Sequence, residues 1–138
     1  MMLIYSTAAK AKGGRNGEVA TEDGVLSVSV RMPKALGGAD DEHTNPEQLF
    51  AAGYAACFDS ALNLVARTQK LKITSEIRTE VGLMKNQEGG FDLKVAIEAK
   101  IEGVEKAQAQ ALLEAAHAVC PYSRAIRGNV DCSISLAD

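Results

Sequence analysis

Residues 44–67 constrain this chain more than any other stretch. Thr44-Asn45-Pro46-Glu47 offers a helix start in either of two registers, a capping box from Thr44 to Glu47 or Asn45 as N-cap with Pro46 in the first helical position. Behind it Leu49, Phe50, Gly53, Tyr54, Cys57, Ala61, Leu64 and Val65 make a helix that is apolar over much of its circumference up to about Arg67. Such a helix is predicted to be central and buried. Gly53 costs it about 1 kcal/mol relative to alanine, and its place among Ala51, Ala52, Ala55 and Ala56 predicts that another backbone comes close there.

The other elements follow from period and punctuation. Leu3 to Lys12 reads as extended, and Gly13-Gly14-Arg15-Asn16-Gly17 as a glycine-rich turn that places Arg15 on a loop. Glu18 to Glu22 and Val25 to Met32 flank Asp23-Gly24, a tight-hairpin dipeptide, completing an antiparallel meander. Residues 33–43 have no period and form a connection. Ile73, Ile77, Val81 and Leu83 alternate with polar residues, as do Phe91, Leu93, Val95, Ile97, Ala99 and Ile101 after the Asn86–Gly90 turn, which predicts a long hairpin with one wet face. Val104 to Val119 has helical spacing. Pro121 ends that helix and starts a short one with Cys120 near its N-cap and Gly128 closing it; Val130, Cys132, Ile134 and Leu136 make a last strand.

The order β-β-β-α-β-β-α-α-β is that of one α+β domain over residues 1–138, and the long helix carries more apolar surface than a layer pair of this size needs, so a dimer is expected. With 46% hydrophobic residues the core needs no disulfide staples. Lys and Arg number 15 against 18 Asp and Glu, for a net charge of −3, which argues against nucleic acid as a partner. The N-terminus has neither a basic region nor a sustained apolar one, and no stretch approaches a membrane span, so a soluble, cytosolic protein is expected.

Three cysteines are too few for a disulfide scaffold, and in a reducing compartment they are catalytic, metal-binding or structural. Cys57 lies inside the apolar helix and Cys120 at the helix junction, so only tertiary packing can join them. A small apolar cysteine in an Ala-rich helix is more often a packing residue than a nucleophile. A thiolate needs positive surroundings, and Arg15, Arg124, Arg127 and the N-terminus of the short helix are the candidates; the last favours Cys120 and leaves the order of the two thiols open. His117, three positions before Cys120, has the spacing of half a zinc site, but His43 and Cys132 supply no matching half, and no metal is expected.

The run Thr44-Asn45-Pro46-Glu47-Gln48-Leu49-Phe50-Ala51-Ala52-Gly53-Tyr54-Ala55-Ala56-Cys57-Phe58, with His117-Ala118-Val119-Cys120-Pro121-Tyr122-Ser123 and Arg127-Gly128-Asn129, resembles the organic hydroperoxide resistance (Ohr) branch of the OsmC/Ohr family. Gly13-Gly14-Arg15-Asn16-Gly17 and Leu36-Gly37-Gly38 fit the same pattern, in order and spacing along nearly the whole chain. The resemblance implies antiparallel sheets packed around a long central helix in an intertwined homodimer whose two sites draw residues from both chains. It implies a thiol peroxidase in which Cys57 attacks the peroxide, Cys120 resolves it, Arg15 holds the thiolate and Glu47 holds Arg15. It also implies an organic hydroperoxide as substrate, a lipoylated protein as dithiol reductant and no further cofactor. Phe50 and Tyr122 are expected to border the substrate pocket; Cys132 matches no family motif and is read as structural.

The nearest rival keeps the fold and changes the substrate, toward the osmotically induced OsmC branch; Val119-Cys120-Pro121-Tyr122-Ser123 favours the Ohr side. A Cys–His hydrolase using His117, and a binding module with structural thiols, are the alternatives from other classes.

Overall fold

The computed structural model describes all 138 residues. They divide into two compact units, Met1–Leu49 and Phe50–Asp138.

In the first unit β1 (Ala9–Lys12), β2 (Gly17–Thr21) and β3 (Ser27–Val30) form a three-stranded antiparallel sheet in that order. The first strand is shorter than the predicted Leu3–Lys12. β2 ends at Thr21, the partner of Ala9; beyond that pair only the Ala8 carbonyl is engaged, accepting from the Glu22 amide at 2.9 Å, and Met2, Leu3, Ile4 and Tyr5 stay exposed. The Asp23-Gly24 turn is also longer than the expected tight hairpin. Asp23 Oδ1 accepts from Thr21 Oγ1 at 2.7 Å and from the Val25 amide at 3.0 Å, and the strands resume only beyond Leu26. Between β1 and β2 a short 3-10 turn, Gly14–Asn16, presents Arg15. Gly17 closes that turn: a Cβ there would stand 1.9 Å from the Lys12 carbonyl oxygen, so no other residue fits.

The long helix α1 runs Pro46–Thr68. Its start register is settled by Asn45, whose side-chain oxygen accepts from the Gln48 amide at 2.9 Å, with Pro46 opening the helix. By length and composition α1 is apolar enough to cross a membrane, contrary to the expectation from the sequence. It is nevertheless a core helix: Tyr54, Phe58 and Leu62, four residues apart, are fully buried and join one hydrophobic cluster. Burial is confined to that face, however, and not spread round the circumference as predicted; Ala52, Ala56 and Leu64 are exposed, because the chain's own elements cover one side.

In the second unit β4 (Thr74–Lys85) and β5 (Phe91–Glu102) make the predicted hairpin, with Val95, Ile97 and Ala99 turned into the core. α2 (Lys106–Val119) contributes Leu112, Leu113 and Ala116 to the same cluster, and α3 (Pro121–Ile126) follows at once. β6 (Asp131–Leu136) then pairs with β5 in parallel, so this sheet is mixed and not purely antiparallel. A parallel partner requires a crossover connection, and α2 with α3 supplies it. On α1, Asp59 accepts from Ser75 Oγ at 2.5 Å and from Asn63, tying the helix to β4 by a polar clasp.

Asn45→Ala should lower the unfolding free energy by about 1 kcal/mol in urea titration, the usual loss of an N-cap, whereas Thr44→Ala, whose hydroxyl caps nothing, should change it by less than half as much.

Candidate active site

Two pairs of predicted site residues meet, one in each unit. In the second unit Cys57 lies one turn beyond Gly53 on α1, next to the buried Tyr54 and Phe58. Cys120 stands where α2 gives way to α3. Its ψ of 124° breaks the helix, as the proline after it requires, while its amide still donates to the Ala116 carbonyl at 2.8 Å and its own carbonyl accepts from Arg124 at 2.9 Å. That double anchoring turns the Cys120 side chain inward, to zero exposure, with its sulfur 3.8 Å from that of Cys57. Both are free thiols. The sulfurs need to come only about 1.8 Å closer to reach the ~2.05 Å of a disulfide.

In the first unit Arg15 donates from Nη1 to Glu47 Oε1 at 2.6 Å and from Nη2 to Oε2 at 2.9 Å, a two-pronged ion pair between the glycine turn and the first turn of α1. The pairing fixes the guanidinium plane and supports its charge.

Phe50 and Tyr122 do meet beside the thiols. Their ring centroids are 6.1 Å apart, Tyr54 lies 5.6 Å from Tyr122, and Tyr122 is partly open to solvent. The close approach expected at Gly53 exists, but it is made by this tyrosine ring and not by a backbone.

Burial pushes the Cys57 thiol pKa up; the backbone N–H of Tyr122 pulls it down, and the neighbouring Cys120 thiol adds to the rise. The two thiols are thus close to one another, while burial disfavours the thiolate of Cys57. Cys132 is likewise pushed up by burial, and rests against Tyr54 Oη at 3.9 Å.

A buried polar chain went unread in the sequence. Ser123, fully buried, is 2.6 Å from Tyr54 Oη and 2.9 Å from His117 Nδ1. Burial and the nearby Arg127 hold the His117 pKa down. The signal available was Ser123 itself, a polar residue in the first turn of a helix beside two cysteine-bearing segments. His117 thus lies against Ser123, and His43 against Asp40 at 3.3 Å.

A profile of OsmC-like proteins matches residues 38–135. The chain belongs to the OsmC/Ohr family. It is 45% identical over 137 residues to the organic hydroperoxide resistance protein OhrA of Bacillus subtilis, covering 98% of this chain and 97% of that one. Among solved structures, an organic hydroperoxide resistance protein from Elizabethkingia anophelis superposes with a TM-score of 0.96 at 50% identity, over 100% of this chain and 99% of that one. A Vibrio cholerae protein described as a putative organic hydroperoxide resistance protein, with captopril in one of its active sites, gives 0.94 at 48% identity over 99% and 94%. The OsmC/Ohr fold is α+β, as expected, and the likeness extends over the whole chain, including the N-terminal residues that the profile leaves out.

Because Cys120 raises the Cys57 pKa, Cys120→Ala should shift the Cys57 titration to lower pH. The check is thiolate absorbance against pH in a Cys132→Ser background; an unchanged or higher midpoint would contradict the assigned cause.

Proposed function

We propose that the chain is a thiol peroxidase that reduces organic hydroperoxides to alcohols, and the observation that carries the proposal is the 3.8 Å separation of the Cys57 and Cys120 sulfurs. The thiolate of Cys57 attacks the distal oxygen of R–O–OH, the O–O bond breaks, and Cys57 becomes a sulfenic acid as an alkoxide leaves and takes a proton to become the alcohol. Cys120 then displaces the sulfenic hydroxyl: the S–S bond forms, and the Cys120 proton departs with the hydroxyl as water. An external dithiol, for which a lipoylated protein has the right chemistry, reduces the disulfide and becomes oxidised in turn.

Arg15 is assigned to the thiolate and the departing alkoxide, and Glu47 to holding Arg15. Two observations support this assignment: the bidentate pair is already formed, and burial leaves Cys57 in need of a cation. Phe50 and Tyr122 are assigned to the apolar substituent of the substrate, which favours alkyl or lipid hydroperoxides over hydrogen peroxide. The relatives' description as organic hydroperoxide resistance proteins points the same way.

The functional unit we infer is a homodimer in which the 138 residues act as one domain. Met2, Leu3, Ile4 and Tyr5 are each at least 76% exposed and α1 is uncovered on its Leu64 side, apolar surface of the kind a second copy would cover. Sedimentation at micromolar concentration should give twice the mass of 14.6 kDa; a monomer would remove the dimer from the proposal. A cytosolic setting is inferred from the small number of cysteines, three, too few for a disulfide scaffold.

One equivalent of an alkyl hydroperoxide added to reduced protein should produce a Cys57–Cys120 disulfide, mapped by mass spectrometry, in wild type but not in Cys57→Ser. Cys120→Ser should trap oxidised Cys57. Arg15→Ala should slow peroxide consumption by roughly a hundredfold, as loss of a charge-stabilising donor does, while stability falls by less than about 1 kcal/mol because the pair is partly exposed. Hydroperoxide consumption that persists in Cys57→Ser would end the proposal.

A further inference from the structure

We propose that Gly53 is a positioning residue for the two sulfurs, its missing side chain seating the Tyr122 ring that sets the Cys120–Tyr122 turn against α1. The inference rests on the pairing of Cys57 with Cys120 proposed above.

Gly53 and Cys57 are four residues apart on α1 and therefore on one face. A Cβ at position 53 would lie 2.9 Å from Tyr122 Oη and 3.5 Å from Cε2 and Cζ. The ring carbons at 3.5 Å are in ordinary van der Waals contact; the oxygen at 2.9 Å is too close. One atom, the tyrosine oxygen, must therefore shift to admit alanine at a place where helix propensity favours it.

The ring is flanked on two sides and open to solvent on another. Phe50 and Tyr54 flank it at 6.1 and 5.6 Å between centroids, on the same helix face. Tyr122 is joined through Pro121 to Cys120, and its backbone N–H acts on the Cys57 sulfur. A displaced ring therefore draws with it the turn on which the 3.8 Å sulfur contact depends.

The test measures how fast the Cys57–Cys120 disulfide closes when reduced protein is treated with diamide, which takes two electrons and two protons from the dithiol and becomes a hydrazine. No peroxide chemistry is needed. Gly53→Ala should close roughly tenfold more slowly, equivalent to about 1.4 kcal/mol on the barrier. Adding Tyr122→Phe removes the obstructing oxygen and should return closure to the rate of Tyr122→Phe alone. A general weakening of the fold would not be rescued by deleting that one atom.

Closure of Gly53→Ala at the wild-type rate overturns the proposal, and so does a double variant that closes tenfold more slowly than Tyr122→Phe. If Gly53→Ala does not fold, the comparison of the double variant with Tyr122→Phe decides alone. Wild-type protein that closes with diamide but not with an alkyl hydroperoxide would sink the peroxidase reading and leave the role of Gly53 standing.

Discussion

The chemistry proposed for this chain depends on one contact, the approach of two sulfurs 63 positions apart in sequence to 3.8 Å. Neither α1 nor the α2–α3 junction can arrange it alone. Tyr54, Phe58 and Leu62 of α1 share a cluster with Leu112, Leu113 and Ala116 of α2 and with the inward face of β5, so burial of apolar side chains holds the two cysteine-bearing segments together. The driving force is non-directional, about 1.5–3 kcal/mol for each large side chain buried. Directional interactions then set the register: Pro121 breaks the helix at Cys120, and the Ala116 and Arg124 hydrogen bonds hold the turn open toward α1.

Burial creates a difficulty that the proposed mechanism must answer. An apolar setting suits an organic hydroperoxide and shields the sulfenic acid, yet it disfavours the thiolate that must attack, as the raised pKa of Cys57 records. The Tyr122 N–H offsets part of this. A guanidinium brought to about 4 Å at an effective dielectric of ~20 would contribute about 4 kcal/mol in favour of the thiolate. That magnitude is why a rigid Arg15, held by both oxygens of Glu47, is the element the proposal needs most.

Much of this was legible in the sequence because strong local rules governed it. The element order, the Asn45-Pro46 start of α1 and the break at Pro121 all came from short-range chemistry that tertiary structure did not override. What escaped was non-local. The first strand begins at Ala9 and not at Leu3 because its neighbour β2 ends at Thr21, which no property of those residues discloses. The parallel pairing of β6 is a fact of topology, and alternation in Val130 to Leu136 reads the same for either direction. At Gly53 the sequence announced a close approach but not its maker, since a ring from 69 positions away is invisible to helix patterning. The order of the two thiols was open for a related reason: Cys120 has a visible helix start beside it, and the cation assigned to Cys57 lies far off in the chain.

The proposed chemistry runs through Cys57 and Cys120 and leaves the third cysteine, Cys132, outside it. Cys132 is as free as the other two, partly buried, and pushed up in pKa by burial. It differs in its backbone. Cys132 sits in β6, opposite Val95 in a parallel ladder, whereas Cys120 occupies the junction of α2 and α3. Its polar neighbour is Tyr54 Oη, which also engages the buried Ser123 and through it His117, so moving Cys132 would disturb a satisfied buried network. The sulfur of Cys120 faces that of Cys57 at 3.8 Å, whereas that of Cys132 faces a tyrosine hydroxyl at 3.9 Å, so position and not burial distinguishes them.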